Sequence, residues 1–152
     1  MSPLIAKAWD EVVRPMIQRP RQLQVAALCY RKEGGRKEVL LITSRGTGRW
    51  ILPKGYLMAG KSAAEAARIE AWEEAGVRPA KVSEEPVGEY TYLKRDDDGV
   101  GAPYSAQVYP IKVKQLEDDF PERGQRKRQW IAPEKAAELV AEKDLQALLR
   151  DF

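Results

Sequence analysis

The sequence predicts a single mixed α/β domain of the α+β kind, and three observations carry that prediction. Strand-like runs in hairpin order fill the first third of the chain. A strong helix signal interrupts them, and further strands precede two closing helical runs. With strands and helices in mixed order, a regular doubly wound sheet is not expected. At 152 residues, 43% apolar and 32% charged, the chain has the size and composition of one domain with a real core.

The elements follow in order. Ile5, Trp9, Val12 and Met16 fall at helical spacing until Pro15 and Pro20 interrupt them, so residues 1–20 read as an N-terminal helical extension to a domain over 21–152. Gln22 to Arg31 alternates Leu23, Val25, Ala27 and Cys29 on one side, as a strand does. Glu38 to Thr43 holds Val-Leu-Leu-Ile, the continuous apolar run of a strand buried on both faces. Gly34-Gly35 between them marks a hairpin. Trp50-Ile51-Leu52 is a short strand closed by Pro53.

The period then changes. Ser62-Ala-Ala-Glu65 is a capping box, Ala63 to Ala75 is rich in strong helix formers, and Gly76 supplies a C-cap. Val87 to Leu93 and Ser105 to Val113 read as strands around a turn at Asp96-Asp97-Asp98-Gly99, and Lys127 to Ile131 as a last strand. Pro133 at the first helical position opens a helix through Glu142, and a shorter one runs from Asp144 to Arg150.

Composition excludes whole classes of chemistry. The chain has no histidine, so Ser-His, Cys-His and His-metal mechanisms are out. Its one cysteine, Cys29, can form neither an internal disulfide nor a zinc site alone. No apolar run approaches the roughly 18 residues of a membrane span. The N-terminus, with Lys7, Asp10, Glu11 and Arg14, is not a signal peptide, so a cytoplasmic setting is expected. Residues 1–60 hold eleven Lys/Arg against four Asp/Glu, while residues 61–152 hold fifteen against nineteen. A basic front beside an acidic back suits a polyanion held near a cation, although chance asymmetry on a solvated surface would look the same.

One stretch carries chemistry. Glu70, Glu73 and Glu74 stand at i, i+3 and i+4, so three carboxylates project from one helix face, with Ala63, Ala66 and Ala67 one or two turns earlier. Like charges so placed repel by a few tenths of a kcal/mol per pair (~0.2–0.5). Beside a hard divalent cation such as Mg2+ or Mn2+ the same arrangement becomes favourable. A solvated acidic face is the plainer alternative.

The segment from Gly55 to Val77 resembles the signature of the Nudix hydrolase family: G, five residues, E, seven residues, then R-E-U-x-E-E-x-G-U with U aliphatic. Gly55, Glu70, Glu73-Glu74, Gly76 and Val77 match in register. Trp50-Ile-Leu-Pro-Lys-Gly55 and Trp130-Ile-Ala-Pro-Glu-Lys-Ala136 extend the likeness over about residues 22–140. Lys61 replaces the upstream Glu, Ile69 replaces the Arg, and Ala71 is a small version of the aliphatic position. The resemblance implies an α/β/α sandwich with the Ala63–Ala75 helix on one sheet face and the C-terminal helix on the other.

It also implies phosphoanhydride hydrolysis by water with Mg2+ or Mn2+. Glu70 and Glu74 would be the main metal ligands, and Glu73 the third ligand or the water-orienting base. Glu117 or Glu122, outside the box, could be that base instead. Arg31, Arg45, Lys54, Gly55, Arg126 and Arg128 form the expected phosphate rim. Leu28-Cys-Tyr-Arg31, Ser44-Arg45, Arg49-Trp-Ile51 and Arg126-Lys-Arg-Gln-Trp130 are similar to the diphosphoinositol polyphosphate and diadenosine polyphosphate hydrolases. The expected partner is thus a polyphosphorylated small molecule, with neither membrane nor nucleic acid. The Trp9 helix is a candidate homodimer element. The alternative is a module weakened by Lys61 and Ile69 that senses a phosphorylated ligand.

Overall fold

A computed structural model describes residues 22–95 and 101–152. The expected N-terminal helix with Trp9, and the turn at Asp96-Asp97-Asp98-Gly99, lie outside the described residues. The strands are β1 (Gln22–Glu33), β2 (Arg36–Thr43), β3 (Trp50–Ile51), β4 (Lys54–Tyr56), β5 (Val77–Val82), β6 (Gly88–Arg95), β7 (Gly101–Leu116) and β8 (Arg128–Ile131). The helices are α1 (Ala63–Ala75), α2 (Pro133–Leu139) and α3 (Lys143–Asp151).

Among the described residues, eight strands join one mixed sheet whose spine runs β3-β2-β1-β7-β5. β1 and β7 pair in parallel, from Gln22 opposite Tyr104 to Tyr30 opposite Lys112. Every other pairing among the described residues is antiparallel. The first half of β1 takes β4 on its other edge and the second half takes β2, which brings the Lys54–Tyr56 segment to the middle of the sheet.

The sheet is covered on both faces. Val25, Ala27 and Cys29 face α1 with Leu40, Ile42 and Ile111. Ala26 and Leu28 face α2 and α3 with Val39, Leu41 and Val108. The Val-Leu-Leu-Ile run is continuous because its residues feed both layers in turn, each large side chain contributing about 1.5–3 kcal/mol by burial. The α/β/α sandwich is therefore the fold. Leu23, which the alternation places with Val25, is instead 56% exposed at the start of β1.

α1 begins and ends where its caps predict. The Ser62 hydroxyl accepts from the Glu65 N–H at 3.1 Å, and Gly76, at φ 69°, donates its N–H to Trp72 O. Glu65 does not reach back to complete the box, since Arg68 holds its carboxylate at 3.0 Å.

Several elements differ from the sequence reading, among them β7, which runs from Gly101 to Leu116 where the sequence predicts Ser105 to Val113. β4 and β5 are additional strands. β5 carries Pro79 at a register irregularity on the sheet's edge, where a missing N–H is tolerated. Leu52 leaves β3 but stays fully buried. The helix expected through Glu142 stops at Leu139, because Val140 and Glu142 take extended backbone and a separate helix starts at Lys143.

Candidate active site

The alanines of α1 set the site. Ala64, Ala66, Ala67, Ala71 and Ala75 are buried against the sheet, and side chains this small let the helix settle close to β1 and β4. Its last turns therefore bring two carboxylates down onto the Lys54–Tyr56 segment. Gly55 lies directly under Glu70; a Cβ there would stand 2.2 Å from Glu70 Cδ and 2.3 Å from Oε1. Glu74 is only 5% exposed, and its Oε1 accepts the Lys54 backbone N–H at 3.1 Å.

The loop between β7 and β8 closes the other side. The Glu122 N–H donates to Glu73 O at 3.0 Å, stitching the loop to α1. Arg126 donates from Nε and one terminal nitrogen to Glu122 Oε1, both at 3.2 Å. The same terminal nitrogen lies 3.6 Å from Glu74 Oε2, while the other donates to Thr43 O at 3.1 Å. Arg45 stands outside this group, 3.6 Å from Glu122 Oε1 and hydrogen-bonded to Gln125 at 3.1 Å.

Crowded acids in a dry corner hold their protons. Burial, then Glu74, Glu73 and Glu122, push the Glu70 carboxyl up to about 7. Burial pushes Glu74 to about 7 as well, against the opposing pull of Arg126 and the Lys54 N–H. This is the field that a divalent cation would relieve. The donor chemistry fits a hard ion: hard oxygens on a rigid helix, one of them (Glu70) with no hydrogen bond or ion pair among the described residues. As placed, no three acidic or cysteine side chains among the described residues close tightly enough to enclose an ion, and Arg126 bridges Glu74 and Glu122 in its stead.

The expected phosphate rim is only partly assembled. Lys54 stays beside the carboxylates, with its ammonium 4.8 Å from the Tyr92 ring centre. Burial lowers its affinity for its proton, while Glu142 and Glu74 raise it. Arg45 is at the edge near Glu122. Arg126 is not on a rim at all, since its side chain is 8% exposed and lies inside the acidic cluster. Arg128 is taken up by carbonyls, donating to Ala75 O at 2.9 Å and Glu117 O at 2.8 Å at the end of α1. Arg31 lies elsewhere, bonded to Glu38 at 3.0 Å and 4.4 Å from the Trp130 ring centre, beside a separate cleft of about 310 Å³. Glu117 is held by Arg78 and Gln115 away from Glu70 and Glu74. Lys61 is exposed.

Sequence reasoning missed Glu142. It sits at the start of α3, its Oε2 buried without a hydrogen bond and its Oε1 3.9 Å from Arg49. A Glu read as the last residue of a helix carries no signal; the helix instead ends at Leu139, and Glu142 becomes the extended residue that precedes α3. Tyr92 and Tyr104 stack at 5.5 Å beside Lys54, and Tyr56 follows at 6.3 Å, whereas Tyr90 belongs to the core.

The chain is similar to known proteins in sequence and in fold. The family model described as "NUDIX domain" matches residues 20–152. Nudix hydrolase 12, mitochondrial, of Arabidopsis thaliana is 31% identical over 119 residues, which is 76% of this chain and 58% of that protein. The chain spans about three fifths of the length of such plant relatives. Human diphosphoinositol polyphosphate phosphohydrolase 3-alpha is 29% identical over 77% of this chain and 68% of its own. Among solved structures, the C. elegans Ap4A hydrolase superposes with TM-score 0.65 and 24% identity, over 88% of this chain and 96% of that one, a likeness of fold.

Proposed function

The chain belongs to the Nudix hydrolase family, and on that premise we propose that it is a metal-dependent pyrophosphohydrolase acting on a highly phosphorylated small molecule. The single observation that carries the reading is the pair of carboxylates on Glu70 and Glu74, one seated on Gly55 and the other on the Lys54 N–H.

In this reading Glu70 and Glu74 hold Mg2+ or Mn2+, and Glu73 is the third ligand or orients the attacking water. The ion supplies charge neutralisation at the phosphoanhydride and acidifies that water. Glu122 is the carboxylate outside the helix gathered into the same group, and is the alternative base. Lys54 and Arg45 meet the phosphates, with the Lys54 backbone N–H fixed on Glu74 and its ammonium over Tyr92. Substrates of the diadenosine polyphosphate and diphosphoinositol polyphosphate types share the chemistry. A cytoplasmic setting is proposed as one reducing compartment in which Cys29 stays a free thiol.

The second reading, a module that binds a phosphorylated ligand without cleaving it, is favoured by the exposed Lys61 and by Ile69 at two signature positions. Product analysis with Mg2+ and with Mn2+ across diadenosine polyphosphates, inositol pyrophosphates and nucleoside diphosphate derivatives separates the two. Metal-dependent release of a phosphate-bearing product supports the enzyme; binding without release supports the sensor.

A further inference from the structure

Arg126 is an arginine with its side chain only 8% exposed, and it is not fully occupied by neutral acceptors. Two of its nitrogens are committed to Glu122 and the third to the Thr43 carbonyl. Its approach to Glu74 is different in kind. At 3.6 Å the contact is charge attraction and not a hydrogen bond, and it falls on Oε2, the oxygen left over once Oε1 has taken the Lys54 N–H. Glu74 Oε2 can therefore turn to another cation without Arg126 losing its own anchors. Two independent tethers, the Glu122 N–H to Glu73 O and Arg126 to Thr43 O, keep the guanidinium in place when that happens.

We infer that Arg126 is the resident counter-charge of the carboxylate cluster: it holds Glu74 and Glu122 together in the metal-free protein and opposes a divalent ion through its own positive charge. The inference rests on Glu70 and Glu74 being the metal ligands. Linkage then fixes the signs. A residue that stabilises the metal-free site more than the loaded one weakens metal binding, so its removal must cost most stability without metal and tighten binding.

The test uses Mn2+ alone, under nitrogen at pH 8.5 where the carboxylates are ionised, with wild type, Arg126→Gln and Arg126→Lys. Mn2+ affinity is read by titration calorimetry, and Tm is taken in EDTA and in saturating Mn2+. The expected result is a Kd about three- to tenfold lower for Arg126→Gln, as for one unit charge removed several ångströms from the ion. Its Tm deficit should be smaller in saturating Mn2+ than in EDTA, by the stability equivalent of that factor of about three to ten. Arg126→Lys, which keeps the charge and loses the fork, should stay within about twofold of wild type in Kd. Equal Tm deficits with and without Mn2+, or Mn2+ affinity unchanged or weakened in Arg126→Gln, would make Arg126 a structural strut and overturn the inference. So would an Arg126→Gln protein that Mn2+ cannot help to fold. Absence of Mn2+ binding by the wild type would overturn the metal reading, and this inference with it.

Discussion

Gly55 and Glu70 are matched by shape: the Glu70 carboxyl carbon occupies the space that a side chain on Gly55 would need, 2.2 Å from where its Cβ would lie. The obstacle is the far end of a flexible side chain and not backbone, so a methyl group there is accommodated by moving the carboxylate. Gly55→Ala should therefore keep the fold and cost about 10- to 100-fold in metal affinity or turnover, the range seen when a ligand's support is altered. Circular dichroism beside Mn2+ titration checks both halves. Equal loss of fold and affinity would show that the glycine serves the β4 backbone instead.

The pH dependence of stability should flatten with metal. Glu70 and Glu74 are held near 7 in the fold against an ordinary 4.5. Between those values the metal-free fold binds more protons than the unfolded chain, so raising the pH through the window lowers its stability. A bound divalent ion prefers the ionised carboxylates, and its stabilisation should grow over the same window. Thermal unfolding from pH 5 to 8.5, in EDTA and in Mg2+, should show Tm falling in the first series and the metal-induced increment rising between pH 6 and 8. An increment independent of pH would mean that these carboxylates are not the ligands.

Glu142 is expected to act through Lys54. It is the first of the charges that support the Lys54 ammonium against burial, ahead of Glu74. Glu142→Gln should leave the fold intact and lower the pH at which Lys54 loses its proton. The alkaline limb of substrate binding would then move to lower pH, with KM rising more than kcat falls. A change in kcat alone, at constant KM, would place Glu142 in the chemistry instead.

The Ser62 cap should matter only to stability. Its hydroxyl satisfies the Glu65 N–H at the far end of α1 from the carboxylates. Ser62→Ala is expected to cost about 1 kcal/mol with kcat/KM unchanged, by urea denaturation and steady-state kinetics.

What could be seen in the sequence followed local physics. Ser62 and Gly76 delimit α1 because caps are chemical requirements of the helix ends, and the i, i+3, i+4 spacing of the glutamates fixes their common face whatever packs around them. The double-sided core of β2 was equally plain in its four apolar residues. β5 was hidden because Arg78-Pro79-Ala80-Lys81 is polar and contains proline; it is a strand only because β7 is long enough to pair with it. The cations show the limit most clearly. Arg31, Arg126 and Arg128 are alike in sequence, yet one packs on Trp130, one lies among carboxylates and one binds carbonyls. Those fates depend on contacts between distant segments, such as Arg126 with Thr43, which no local pattern records.

The most direct test is metal-dependent turnover of a diadenosine polyphosphate by wild type and Glu74→Gln. Glutamine keeps an oxygen for the Lys54 N–H while removing the charge, so the fold should persist. The predicted result is Mg2+- or Mn2+-dependent product release by the wild type and a loss of at least about 100-fold in the variant, together with loss of Mn2+ binding. Undiminished turnover in folded Glu74→Gln, or turnover that ignores EDTA, would contradict the account.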